Sequence, residues 1–480
     1  MSHDRLHDRP TVEVVPSPTA VVLAPCPFDS DPRHGYWRDS LAARGHRVLE
    51  IEILTMPRHW RHETELISTK DRISLFSSRP PRLRHSILDL VHQCSPETST
   101  GAYVGAQANR CISALELLDS RLREIELVVA NDLLGVIAAL TYWEPSKILY
   151  DAQEMFTDMY DVIFGESLSA REKSIWIDVE TEVIREVKQV VTVSPGIGRI
   201  YEQRHGSEPA VIPNFVPQAK FVEPQSPKIE PNRPVRFVFI GRADPNRGLE
   251  ELIREWDFPE HMATLDLIVP PSPLRTKLKK IDAAIKRLGS GPVFLDGVSP
   301  AAMIATLSAY DVGILPYKYP PPYDQASPNK FGEYVAAGLA VIANEQPFVA
   351  SVINELEIGT TFSWVSPRSF KQAVQLLTTQ GHLDVARERV RIIRNQELSW
   401  DECFIKLTTV TDLGPRGESG RCVTEERGFA GVEATDFPIT RAVIQRLRSK
   451  TMSFVGQRAQ RLQPIIRLLG RVSLVRRMIK

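Results

Sequence analysis

At 480 residues the chain exceeds what one hydrophobic core usually serves, so two domains of roughly 180 residues and an appendage are the natural division. Hydrophobic residues at 42% and charged residues at 25% exclude a disordered or fibrous polypeptide, and no run approaches the roughly 20 apolar residues that cross a bilayer. The polar start, Met1-Ser2-His3-Asp4-Arg5, is unlike a secretory signal. Cys26, Cys94, Cys111, Cys403 and Cys422 are few, odd in number and scattered, as in a reduced cytoplasmic chain rather than a disulfide framework or a zinc site.

Residues 1–19 read as disordered. Ala20-Val21-Val22-Leu23-Ala24 is a short apolar strand that feeds a loop over 25–34, a helix over 35–44 and a second strand over 47–53. Asp29-Ser30-Asp31 reads as a turn-forming acidic loop and His59 with His62 as a solvated arginine-rich face, so no metal is expected. Strands over 127–130, 148–150 and 190–193, separated by helical stretches such as 169–188, extend the pattern to a parallel sheet within a first domain at 20–216. Residues 217–234, with Pro217, Pro224, Pro227, Pro231 and Pro234, form an interdomain linker. A second domain over 235–397 repeats the alternation, with strands at 237–240, 265–269, 293–295, 312–315 and 341–343 and helices at 248–256, 272–288, 299–309 and 328–337. A terminal helix follows at 398–412, then a tether at 413–436 with five glycines.

The last segment, 437–480, carries eleven Lys or Arg and no Asp or Glu, leaving 48 basic against 59 acidic residues elsewhere. Ile465, Leu468, Leu469, Val472, Val475 and Ile479 recur at helical spacing between basic positions, a basic amphipathic helix. Such a tail suits an anionic membrane surface, with peripheral attachment of a cytoplasmic protein, or an acidic protein partner. With only Phe437 and Phe454 available for stacking, it is a poor nucleic-acid binder.

Two loop-to-helix junctions carry the chemistry. The strand ending at Ile240 runs into Gly241 and Arg242, and a turn, Ala243-Asp244-Pro245-Asn246-Arg247-Gly248, leads into a helix. Both arginines therefore lie beyond the carboxyl end of a strand, where open parallel sheets bind ligands, and permanent guanidinium charge suits a diphosphate. Further on, Ser327 can cap a helix, Pro328 fits its first position, and Gly338 can close it in a left-handed turn. Such a start leaves backbone N–H groups around Asn329, Lys330 and Phe331 that favour phosphate. Glu333, on the same face as Asn329 and Lys330, can accept hydrogen bonds from a sugar hydroxyl.

Gly-Arg, four residues, a basic residue and Gly, then Pro-Asn-Lys, two residues, Glu-Tyr and Ala-Ala-Gly, together resemble the retaining family 4 glycosyltransferases (glycosyl transferases group 1) of GT-B fold. Val191-Thr192-Val193-Ser194-Pro195, Val211-Ile212-Pro213-Asn214-Phe215-Val216, Asp311-Val312-Gly313-Ile314-Leu315-Pro316-Tyr317 and Asp151-Ala152-Gln153-Glu154 are similar to further family segments, over residues of about 20 to 412. The resemblance implies an α/β fold with two Rossmann-like domains whose parallel sheets face an interdomain cleft. It also implies transfer of a sugar, with retention, from a nucleotide diphosphate sugar to a saccharide or lipid-linked saccharide, in cell-surface polysaccharide or glycolipid synthesis. No cofactor enters; the nucleotide sugar is a substrate. The donor contacts it implies fall on Gly241, Arg242, Arg247, Pro328, Asn329, Lys330, Phe331 and Glu333.

Two positions depart from the family. Gln325 stands where many members place a glutamate against the transferred sugar, and Gln153 where the pattern has histidine; both are assigned to the catalytic group with Arg242 and Arg247. Pro270-Pro271 replaces a common glycine near the base. A catalytically silent relative acting as an assembly partner and a nucleotide-sugar epimerase remain alternatives.

Overall fold

Short β-branched runs, bounded by turn residues, are gathered into two buried sheets. The computed structural model describes residues 18–413 apart from 55–63, 69–70, 78–96, 119, 164–167, 226–232, 380 and 412. His59, His62, Cys94, Cys422, the first 17 residues, the tether beyond 413 and the basic tail lie outside them.

The first sheet contains β1 (Ala20–Ala24), β2 (Val48–Ile53), β3 (Thr64–Ser68), β4 (Arg72–Ser77), β5 (Leu127–Asn131), β6 (Ile148–Ala152), β7 (Gln189–Thr192) and β8 (Ala210–Val211) in the order β3-β4-β2-β1-β5-β6-β7-β8. In register, Leu23 of β1 lies between Ile51 of β2 and Ala130 of β5. Every residue of β1, β5 and β6 is buried, as expected of strands covered on both faces. The expected wholly parallel sheet needs one correction. β3 pairs antiparallel with β4, because the connection between them is far too short for the crossover that parallel neighbours need.

The second sheet contains β9 (Val235–Ile240), β10 (Ala263–Ile268), β11 (Val293–Leu295), β12 (Val312–Leu315), β13 (Ala340–Asn344) and β14 (Gly359–Phe362), ordered β11-β10-β9-β12-β13-β14 with every pair parallel. Strand order reverses at β9, so the loop after Ile240 opens at a topological switch point, where such sheets leave a crevice. An aromatic cluster packs the helices Leu249–Glu255 and Pro367–Thr378 on this sheet: Phe237 lies 5.4 Å from Trp256, Trp256 5.0 Å from Phe258, and Phe362 5.0 Å from Phe370, centroid to centroid.

The chain then returns to the first domain. Trp400, fully buried, opens the helix Trp400–Val410 and packs edge-on against Trp37 of the helix Pro32–Ala43 at 5.4 Å, while its Nε1 donates to Ser40 Oγ at 2.8 Å. Its backbone N–H donates to Val216 C=O at 3.2 Å, next to the outgoing segment. The two sheets are thus joined at two adjacent crossings, with their carboxyl ends sharing one cleft. Among the described residues, no helix is long and apolar enough to cross a membrane.

Candidate functional site

Gly248 determines the shape of the second-domain half. It sits at φ +64°, and a Cβ there would lie 1.9 Å from Pro316 C=O, so only glycine lets the turn after β9 press against the end of β12. Asp244 opens that turn by accepting from Asn246 N–H at 2.9 Å. Arg247 is thereby folded over two aromatic rings, its guanidinium 4.6 Å from the centroid of Tyr317 and 5.8 Å from that of Tyr319. Burial works against its charge, yet the tyrosines and Asp244 outweigh burial and raise its pKa. Its Nε is buried without a hydrogen-bond partner among the described residues. Arg242, by contrast, is exposed at the rim.

The second junction lies alongside. Lys330 Nζ pairs with Glu333 Oε2 at 2.8 Å, and Lys330 Cε is 3.9 Å from where a Cβ on Gly241 would stand, so the two motifs meet. Glu333 is 8% exposed; burial raises its pKa although Lys330 pulls it down. The helix start differs from the sequence expectation. Helix Asn329–Ala336 has Pro328 at its cap without a side-chain cap bond, because the Ser327 hydroxyl accepts from Asn214 N–H at 3.2 Å instead. The Phe331 N–H bonds Pro328 C=O at 3.0 Å and so leaves the set of open amides, while the Phe331 ring is fully buried against Phe215. Gly338 adopts φ +76° and ends the helix as expected.

Across the cleft, Asp151, the penultimate residue of β6, lies inside a buried network. Arg33 donates to it at 2.8 and 2.7 Å and Trp37 Nε1 at 2.7 Å, and Arg33 also reaches Ile212 C=O at 2.8 Å and Asn214 Oδ1 at 3.0 Å. Gln153, 7% exposed, donates to Asn131 Oδ1 at 3.1 Å and is pinned at the strand edge. Asp132, at φ +57°, is pushed up to about 8 by burial and by Glu154, Asp151 and Asp31. Glu154 closes the family-like segment Asp151–Glu154 without a role of its own in the sequence, although a carboxylate just past the end of a parallel strand is a signal in itself. Burial pushes it up to about 7, with Tyr323 and Arg247 acting in the opposite sense.

The halves touch at the turn before Ser327. Ser194 Oγ donates to Gln325 C=O at 2.5 Å, and Gln325 Oε1 packs so closely on Gly196 that a Cβ there would be 2.2 Å away. Gln325 Nε2 donates to Asp324. Asp29 and Asp31 are occupied structurally: Asp29 pairs with Arg72, and Asp31 caps its helix through Arg33 N–H.

Comparison with known proteins bears on the fold. Residues 234–380 match the family model described as glycosyl transferases group 1. No curated protein matches the sequence. Sucrose-phosphate synthase from Thermosynechococcus elongatus is similar in structure at TM-score 0.57 and 15% identity, over 82% of this chain and 98% of that one. Trehalose-6-phosphate from E. coli bound with UDP-2-fluoro glucose is similar at TM-score 0.55 and 15% identity, over 82% and 98%. WaaG, a glycosyltransferase involved in lipopolysaccharide biosynthesis, is similar at TM-score 0.53 and 14% identity, over 82% and 99%. At these identities the likeness speaks for the fold. The chain has the two-domain GT-B fold, and with its second domain matched by the group 1 family it resembles the glycosyltransferases of that group.

Proposed function

We propose that the protein transfers a sugar from a nucleotide diphosphate sugar to an acceptor hydroxyl with retention of configuration. The observation that carries this reading is the unpartnered, buried Arg247 Nε, held over Tyr317 and Tyr319 at a switch-point crevice. Arg247 and Arg242 hold the diphosphate with the amides near Pro328, Asn329 and Lys330, and Gly241 lets the phosphates approach the backbone. Glu333 accepts from the ribose after exchanging its Lys330 partner. Phe331 acts from the core by fixing the helix, and Gln153 and Gln325 line the sugar subsite.

In the reaction the anomeric carbon leaves the diphosphate oxygen and gains the acceptor oxygen on the same face. The acceptor proton passes to the departing diphosphate, so the protein contributes positioning and charge stabilisation rather than a separate base. The acceptor is a saccharide or lipid-linked saccharide reached from the first domain. Titratable Asp132 and Glu154 in the cleft favour one second reading, nucleotide-sugar epimerisation.

A thermal-shift panel of nucleoside diphosphates and their sugars tests the assignment, because a ligand bound only by the native state raises the melting temperature. One nucleotide family is expected to stabilise the chain. No shift with any of them refutes the reading, and epimerised sugar from donor alone replaces transfer with the second one.

A further inference from the structure

Resting on the proposed glycosyl transfer, we infer that Glu154 supplies, from the first domain, the carboxylate that Gln325 lacks. Gln325 is an amide in the turn that closes on the cleft, and an amide cannot balance the positive charge that develops on a sugar ring as its bond to the diphosphate breaks. Its own Nε2 is occupied by Asp324, and its Oε1 packs on Gly196. Two residues earlier in the same turn stands Tyr323, and the helix Phe156–Ile163 that follows Glu154 packs against the turn Tyr323–Gln325 across the domain boundary; the phenol and the carboxylate act on each other's pKa. Glu154 is therefore brought to the segment from which the missing carboxylate would come.

Three further points support the role. Glu154 Oε2 is buried with no partner among the described residues, so one carboxylate oxygen is open to a ligand. Arg247 pulls the Glu154 pKa down, against the effect of burial. Tyr323 packs edge-on against Tyr319 at 5.1 Å, and Tyr319 lies 5.3 Å from Tyr317, so an aromatic ladder runs from the turn at Tyr323 to the ring beneath Arg247. The groups that act on Glu154 are Asp31 and Asp132 from its own domain and Arg247, Tyr319 and Tyr323 from the other.

In the transfer step the anomeric carbon parts from the diphosphate oxygen, the acceptor oxygen takes its place, and the acceptor proton goes to the diphosphate. Glu154 forms no bond and takes no proton; ionised, it faces the cationic ring. Its charge is present above about 7, so kcat rises with pH through that value.

The test compares wild type, Glu154→Gln and Glu154→Gln with Gln325→Glu. Release of nucleoside diphosphate is followed using the nucleotide sugar that gives the largest thermal shift, together with the shift itself. Glu154→Gln is expected to keep the thermal shift, to lose about 100-fold to 1,000-fold in kcat with KM little changed, and to lose the rise through neutral pH. The double variant is expected to recover part of the rate. Turnover by Glu154→Gln at the wild-type rate and pH profile overturns the assignment, and so does loss of the nucleotide-induced shift, which would make Glu154 a structural residue. A wild-type chain that binds no nucleoside diphosphate fails at the earlier step and removes the function reading itself.

Discussion

Arg242 and Arg33 show how differently two arginines of one cleft act. Arg242 is exposed and Arg33 is 1% exposed, locked to Asp151 at 2.7 Å. Arg242→Ala is expected to leave the melting temperature unchanged and to cut kcat/KM by about 100-fold or more, measured by nucleotide release. Arg33→Met leaves the Asp151 carboxylate buried and unpaired and is expected to cost about 3–5 kcal/mol in urea unfolding. The roles proposed for Arg242 and Arg247 were legible because the residue types follow a strand and precede a turn. Glu154 carries only the weak signal of a carboxylate just past a strand end, because its meaning depends on the turn at Tyr323, which is remote in sequence and meets the segment after Glu154 only once two domains have folded.

At the scale of elements, capping and turn chemistry account for most boundaries. Glu172 completes a capping box with Ser169 and also accepts from Glu97 N–H and Thr98 N–H, so one carboxylate anchors the starts of helices Ala170–Glu186 and Ser99–Leu115. Burial alone would raise its pKa; these hydrogen bonds outweigh burial and hold it at about 2 instead of 4.5. A depressed carboxyl stabilises the fold above the unfolded value and loses that contribution as pH falls through the folded one. Glu172→Gln is expected to be less stable than wild type at neutral pH, with the gap closing between about 4.5 and about 2, read from denaturation midpoints across pH. Gly248→Ala forces both a left-handed φ and a clash with Pro316 C=O. A loss of about 1–3 kcal/mol is expected, together with weaker nucleoside diphosphate binding as Arg247 is displaced.

At the scale of the molecule, the charge asymmetry and the returning helix matter most. The basic tail over 437–480 lies outside the described residues, and its composition supports a proposal: removal of those residues is expected to abolish sedimentation with phosphatidylglycerol vesicles at low salt while nucleotide release continues. Binding of wild type to neutral vesicles as well would contradict an electrostatic origin. The return of Trp400 onto Trp37, far apart in sequence, joins the end of one domain to the start of the other.

By itself the sequence determined the alternating α/β pattern, most strand positions and the junctions at Gly241–Gly248 and Pro328–Gly338, since strand hydrophobicity, glycine turns and helix starts are local properties. Tertiary structure alone decided the antiparallel β3, the diversion of Ser327 from capping to Asn214, the burial of Phe331, the occupation of Gln153 by Asn131, and the packing of the helix after Glu154 on the turn at Tyr323. Apart from the β3–β4 pairing, which joins neighbours in sequence, each of these is a contact between segments remote in the chain, and no local propensity encodes which polar group finds which partner when water is excluded.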